Sequence, residues 1–131
     1  MDISKFQTNK SAEEEGIWVD VDGNGTKVKV ARINNARYKK FFQKITKPYK
    51  RQIRNGTLAE ELAEKLLVDA LANTILLDWK GFTKGGEDFP YSVDNARSFL
   101  QESADFRDFV SDAANEMENF RAEELEEARG N

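Results

Sequence analysis

The segment TLAEELAEKLLVDALANTILLDWKG, residues 57–81, contains the longest uncharged run of the chain, Ala70 to Leu77. Thr57 and Glu60 match the S/T-x-x-E capping box that opens many helices. A helix that is apolar on every side is buried, and Gly81 is a residue on which such a helix can end. We therefore predict one central buried helix from Thr57 to about Gly81.

The segment before it, residues 34–56, predicts a basic amphipathic helix. Asn34 or Asn35 can cap its start, Pro48 interrupts it, and Gly56 ends it. Its apolar residues recur at helical spacing on one face. They are Tyr38, Phe41, Phe42, Ile45 and Tyr49.

Residues 17–33 alternate between apolar and polar residues, a pattern with the period of β-strands. Between the two alternating runs stands DVDGNGT, residues 20–26, which has the opening spacing of a calcium loop. The twelfth position of such a loop needs an acid, and here it is Ala31. The segment therefore predicts a β-hairpin with a tight turn, and neither a metal ion nor a cofactor is expected.

The C-terminal third predicts a loop, GFTKGGEDFPYS, followed by two helices capped by Ser92 and Ser103. Combined with the earlier segments, this gives an α+β fold: a mostly helical single domain with an N-terminal β-hairpin followed by four or five helices. Residues 1–15 are expected to be a flexible arm, and residues 16–120 the globular domain (hairpin about 17–33, helices about 35–120). Residues 121–131 are expected to be an acidic tail.

Charge is distributed unevenly along the chain, whose net charge is −4. Residues 23–59 contain eleven Lys or Arg and no acid, whereas residues 102–127 contain ten acids and two Arg. Such asymmetry is typical of an interaction surface. The alternative is that the two halves face each other within one fold.

The composition excludes several kinds of functional site. The chain has no Cys and no His, so disulfides, thiolate zinc sites and histidine acid–base catalysis are excluded. No apolar run approaches the length of a membrane span. We therefore expect a protein that is not an enzyme and has no membrane partner.

From Trp79 onward, one set of residues occurs in a characteristic order and spacing: Trp79, Lys80, Gly81, Gly86, Pro90, Tyr91, Ser92, Ala96, Leu100, Phe106 and Phe109. In these positions the chain resembles tail assembly chaperones of long-tailed, siphovirus-type bacteriophages. Similar features occur in the front half, with its arm, hairpin and basic aromatic helix. One departure is TKGGED, residues 83–88, where a D-x-D-G type of loop is expected.

The resemblance implies a non-enzymatic assembly factor that keeps the phage tape measure protein soluble and helps recruit the major tail protein. It further implies action in the host cell cytoplasm, absence from the mature virion and self-association as a homo-oligomer. The residues supply a physical reason, because a long helical protein exposes apolar stripes that a small helical partner can cover.

Two groups of residues are candidates for partner contact. Phe82 and Phe89 lie in a Gly-rich loop that does little to hold them inside, and Trp79 and Tyr91 are assigned to the core. The cations Arg37, Lys39, Lys40 and Lys44 form the second group. The alternative function is that of a small phage nucleic-acid-binding protein using the basic segment 32–54. Nucleic acid is not the expected partner, because the aromatics of that segment keep the spacing of core residues.

Overall fold

The structure, a computed structural model, describes residues 1–121. Its α-helices are α1 (Lys10–Glu15), α2 (Ala36–Thr46), α3 (Lys50–Asn55), α4 (Glu60–Ala70), α5 (Val93–Glu102) and α6 (Ala104–Asn115). Its strands are β1 (Ile17–Asp20), β2 (Lys27–Val30), β3 (Leu76–Lys80), β4 (Thr83–Lys84) and β5 (Glu87–Asp88). Short 3-10 helices cover Ile3–Phe6, Lys47–Tyr49 and Met117–Phe120, and a π-helix covers Leu71–Ile75.

An antiparallel sheet in the order β1-β2-β3 forms one side of the core. Val28 lies opposite Val19 on one side and Trp79 on the other, so these three side chains share the inner face. Helices α5 and α6 and the π-helix pack with this face. The core is therefore assembled from both ends of the chain.

The predicted arrangement of one N-terminal hairpin followed only by helices is wrong. Residues 76–80, predicted as the end of the central helix, form β3 and pair with β2. Helices and strands are thus interleaved in a small α+β domain, and β4 and β5 form a second sheet. A short apolar run fits a buried helix and a buried strand equally well. Here residues 76–80 form a strand because they can pair with the open edge of β2.

The segment 57–81 instead changes conformation twice. Helix α4 ends at Ala70, the π-helix widens the last turns, and β3 begins at Leu76. Thr74 accommodates this change, because its hydroxyl donates a 2.7 Å hydrogen bond to the carbonyl of Ala70. The wider turn brings the chain out of the helix onto the sheet edge without an intervening loop.

Several predicted helix boundaries are confirmed. Side-chain oxygens of Asn35, Ser92 and Ser103 accept hydrogen bonds from the first turns of α2, α5 and α6, and Gly56 ends α3 in a left-handed conformation. The capping box at Thr57 is wrong. Helix α4 begins at Glu60 after Ala59 with no side-chain cap, and the Thr57 hydroxyl lies 3.5 Å from the carbonyl of Gln52.

The N-terminal segment that was expected to be a flexible arm contains helix α1. Its Ala12 is buried, and Glu13 faces Arg32, with Oε2 and Nη1 3.3 Å apart. The backbone N–H of Asn9 donates to the carbonyl of Phe120, so both ends of the described chain meet. Of the predicted acidic tail, residues 121–131, only Arg121 is among the described residues.

Candidate partner-binding surfaces

Helix α2 carries one face of exposed cations. Arg37, Lys40 and Lys44 recur at intervals of three and four residues, which places them side by side on a helix. A guanidinium nitrogen of Arg37 lies 3.4 Å from the carbonyl oxygen of Asn73 in the π-helix. This contact joins the start of the cationic face to the π-helix that follows α4.

Between α2 and the π-helix lies a groove of about 530 Å³, lined by Arg37, Lys40, Phe41, Lys44, Asn73 and Thr74. The half-buried ring of Phe41 supplies apolar surface, and the three cations stand around it. A second depression shares Arg37 and Lys40, continues onto Leu77 of the sheet, and is bordered on the side of α1 by Glu14 and Glu15. The combined surface, hereafter the α2 groove, is an apolar channel whose rim is cationic along α2 and acidic at the end of α1.

The cations of α2 and α3 have no acidic partners inside the described part of the chain. Within residues 1–121 the ion pairs lie elsewhere, as between Arg97 and Asp69 or Arg107 and Glu64. The interpretation in which the basic and acidic halves neutralise each other therefore finds no ion pair there. Among residues 1–121, the positive charge of α2 is therefore not neutralised by an ion pair.

Lys39 differs from its neighbours. It is exposed on α2 but lines neither depression of the α2 groove. The structure therefore brings Arg37, Lys40 and Lys44 together and leaves Lys39 apart. The groove also contains Asn73 and Thr74, which sequence reasoning missed because their π-helical turn was predicted as regular helix.

The aromatic residues on the opposite face of α2 pack against the protein. Tyr38 and Phe42 are half-buried and stack on each other, with ring centroids 5.7 Å apart and planes 9° from parallel. Burial raises the pKa of the Tyr38 hydroxyl. These rings are therefore occupied with each other and do not form an open stacking platform.

Phe82 and Phe89, the other predicted contact residues, surround Trp79. Their ring centroids lie 5.5 Å and 5.4 Å from that of the buried indole. Both are half-buried. The sequence argument was that a Gly-rich loop does little to hold these rings inside, whereas in the structure their contacts with Trp79 hold them. Phe99 and Phe106 complete the group, stacked on each other with centroids 3.7 Å apart.

The outer side of this aromatic group forms a small pocket of about 170 Å³. Phe82, Phe89 and Phe99 line it, together with Lys84, Ser98 and other polar residues of its rim. Sequence reasoning identified two of the three rings. Phe99 was missed, although its position three residues after Ala96 and one before Leu100 places it at the border of the buried face of α5.

Tyr91 extends the same assembly toward the sheet. Its hydroxyl donates a 3.0 Å hydrogen bond to the carbonyl of Leu76, and its ring meets Trp79 edge-on. Burial, and secondly the charge of Asp78, raise the pKa of this hydroxyl against the opposing effect of Arg37. The assignment of Trp79 and Tyr91 to the core agrees with these contacts.

Three further properties concern the described residues alone. Residues 1–121 contain no cluster of three or more metal-binding side chains. In the hairpin turn, Asp22 accepts hydrogen bonds from Asn24, Thr26 and the Thr26 hydroxyl, so its carboxylate serves the turn. None of the described helices has the length and apolar character needed to cross a membrane.

In a comparison with known proteins, the model of a family described as YdaY prophage protein matches residues 33–131. The matched residues include helix α2, its cations and the aromatic group, and they leave out α1 and the hairpin. Neither the curated proteins nor the solved structures contain a match to the chain.

Proposed function

The chain belongs to the YdaY prophage protein family, and from this premise we propose that it is a tail assembly chaperone. In this role it binds and solubilises the tape measure protein of a long-tailed phage and helps recruit the major tail protein. It acts without catalysis, in the host cell cytoplasm, and leaves before the virion is mature. Membership in a prophage family supports a phage-associated role, and the sequence resemblance supports the finer one.

The observation that carries the proposal is the α2 groove. A client helix with an apolar stripe needs a concave apolar surface, and Phe41 and Leu77 supply one. From Arg37 to Lys44 the rim covers eight residues of α2, and its ends are about 10 Å apart along the helix axis. This length matches two turns of a docked helix, so a client segment can be covered by each copy of the protein.

The cations on the rim define which client segments are preferred. Acidic residues beside the apolar stripe would meet Arg37, Lys40 and Lys44, none of which has an acidic partner in the described residues. Charges at the edge of an interface mainly speed and orient the encounter, while the apolar centre supplies most of the affinity. We therefore expect an acidic amphipathic helix as the client.

Nucleic acid binding is the competing function for the same cations. Sequence-tolerant binding of single strands combines positive charge with aromatic rings open to the bases. Tyr38 and Phe42 are stacked on each other and half-buried, which leaves the groove without such a pair of open rings. The geometry therefore favours a protein client.

The test is copurification of the tape measure protein with variants of this chain after co-expression. Lys40→Glu and Lys44→Glu should reduce the recovered client at least about tenfold, because each places a repulsive charge on the rim. Lys39→Glu is the matched control, with the same charge change on the same helix outside the groove. It should retain most of the client.

Two results would reject the proposal. One is client recovery that is equal for Lys39→Glu and Lys40→Glu, since the groove would then not be the binding surface. The other is retention of DNA or RNA by the purified protein with a steep salt dependence, together with no copurified tail protein. The second result would favour the nucleic-acid function.

A further inference from the structure

The first six residues expose more apolar side chain than any other described segment. Met1, Ile3 and Phe6 are 99%, 77% and 67% exposed, above the exposed fraction of every other large apolar residue in that part of the chain. The 3-10 helix Ile3–Phe6 has no buried residue. Its two apolar side chains therefore contribute nothing to the core of their own chain.

This segment nevertheless has a defined shape. Asp2 caps the 3-10 helix by accepting a 2.9 Å hydrogen bond from the N–H of Ser4. With three residues per turn, Ile3 and Phe6 project from the same side. Two adjacent apolar side chains on an ordered turn form an anchor, and we call Ile3–Phe6 the N-terminal anchor.

The pocket beside the aromatic group has room for one such side chain. Its volume of about 170 Å³ is close to that of an apolar cavity of about 150 Å³ that accepts benzene. Three phenylalanine rings line it, and aromatic rings pack favourably edge-on or offset against one another. A phenylalanine side chain matches both its size and its chemistry.

The anchor and the pocket lie at opposite ends of α6. At the start of that helix, Phe106 packs against Phe82, with ring centroids 5.6 Å apart. Beyond its end, the carbonyl of Phe120 accepts a hydrogen bond from Asn9, three residues after the anchor. The twelve residues of α6 lie between these two contacts along the chain. Phe6 is 67% exposed and is not among the residues that line the pocket of its own chain.

We propose that the N-terminal anchor of one copy inserts Phe6 into the pocket lined by Phe82, Phe89 and Phe99 of a second copy. Because the two surfaces differ, the contact is head-to-tail and can repeat into a ring or an open chain. The pocket rim carries Lys84 and Glu102, so Asp2 beside the anchor favours the orientation of the docked segment that brings it near Lys84 and away from Glu102. The contact is independent of the α2 groove, so it does not depend on the identity of the client.

The first test is sedimentation velocity of the full chain over a range of concentrations. The wild type should give a mass that rises with concentration and persists in high salt, since the contact is mainly apolar. The double variant Ile3→Ser, Phe6→Ser should remain monomeric. Ile53→Ser is the matched control, because it removes an exposed apolar side chain on α3, and it should associate like the wild type.

The second test blocks the pocket without removing an aromatic ring. Ser98 is an exposed residue of α5 that lines the pocket. Ser98→Leu should fill the pocket and abolish association, whereas Ser98→Ala should leave the pocket open and preserve it. An unchanged thermal midpoint shows that Ser98→Leu is folded, and the anchor variant tests the same contact if it is not.

Mixing the two deficient variants gives the decisive measurement. The anchor variant keeps an intact pocket, and Ser98→Leu keeps an intact anchor. A head-to-tail contact therefore predicts a dimer of the two that grows no further, although each alone is monomeric. The proposal is overturned if the wild type is monomeric at all concentrations, if the anchor variant associates normally, or if the mixture stays monomeric. None of these results bears on client binding by the α2 groove.

Discussion

The indole Nε1 of Trp79 donates a 2.8 Å hydrogen bond to the carbonyl oxygen of Phe89. This bond joins strand β3 to the end of the β4–β5 loop, ten residues further along the chain. The two rings also stack, with planes 25° from parallel. The Gly-rich loop is thus held by a side chain of the sheet, and the aromatic pocket owes its shape to this contact.

Trp79→Phe should lower the free energy of unfolding by about 2 kcal/mol, because it loses buried area and leaves the Phe89 carbonyl without its donor. Chemical denaturation measures the loss. Trp18→Phe is the control. Trp18 is 39% exposed on the outer face of the sheet, and a phenyl ring there can still make the cation–π contact with Lys80. The free energy of unfolding of Trp18→Phe should therefore stay within about 0.5 kcal/mol of the wild type. Equal losses would contradict the central role of Trp79.

Helix caps give a second prediction. Ser92→Ala and Ser103→Ala should each cost about 1 kcal/mol, because each leaves a helix N–H without its acceptor. Thr57→Ala should change stability by less than about 0.5 kcal/mol, since Thr57 caps no helix. Thermal or urea denaturation of the three variants distinguishes them. A loss of about 1 kcal/mol at Thr57 would restore the capping box predicted from the sequence.

Gly81 leaves no room for a side chain. Its φ is +88°, and a Cβ there would lie 2.9 Å from the Cα of Thr26 and 3.1 Å from the carbonyl of Gly25. Gly81→Ala should therefore combine backbone strain with a steric clash. Gly56 has a φ of +67° and open space around it, so Gly56→Ala measures the backbone strain without a clash.

We expect Gly56→Ala to cost about 1 kcal/mol, the cost of a left-handed residue, and Gly81→Ala to cost at least about 1 kcal/mol more. Denaturation midpoints at constant m-value measure the difference. Similar losses in the two variants would mean that the hairpin turn and the end of β3 separate easily.

Acid stability should depend on Glu13. Burial alone would raise the pKa of this carboxyl, but the Thr8 hydroxyl, Lys10 and Arg32 together outweigh burial and hold the pKa below its usual value. A lowered pKa means that the stabilisation is complete above the pKa of the unfolded chain, about 4.5, and is lost as the pH falls through the folded value.

Glu13→Gln should therefore be less stable than the wild type at neutral pH and should lose less further stability between about pH 5 and pH 3. Urea denaturation across this range gives the two curves. Curves that remain parallel would show that the contacts of Glu13 with Thr8 and Arg32 do not contribute to stability.

The sequence by itself determined the features that depend on local chemistry. Asn35, Ser92 and Ser103 cap helices because their side chains reach the N–H group three residues further on, and Gly56 tolerates the left-handed turn that ends α3. The alternation of apolar and polar residues in 17–33 predicted the hairpin, because a period of two is also a local property of the sequence. The row of cations on α2 also follows from helical spacing alone.

Only the tertiary structure decided what becomes of Leu76–Lys80 and where the partner-binding residues gather. An apolar run carries no period that separates a buried helix from a buried strand, and the free edge of β2 made it a strand. The α2 groove and the aromatic pocket each join residues from distant parts of the chain: Lys44 and Asn73 line the same groove, and Phe82 packs edge-on against Phe99. These residues become neighbours only when helices and strands pack on one another, and no local pattern in the sequence predicts that packing.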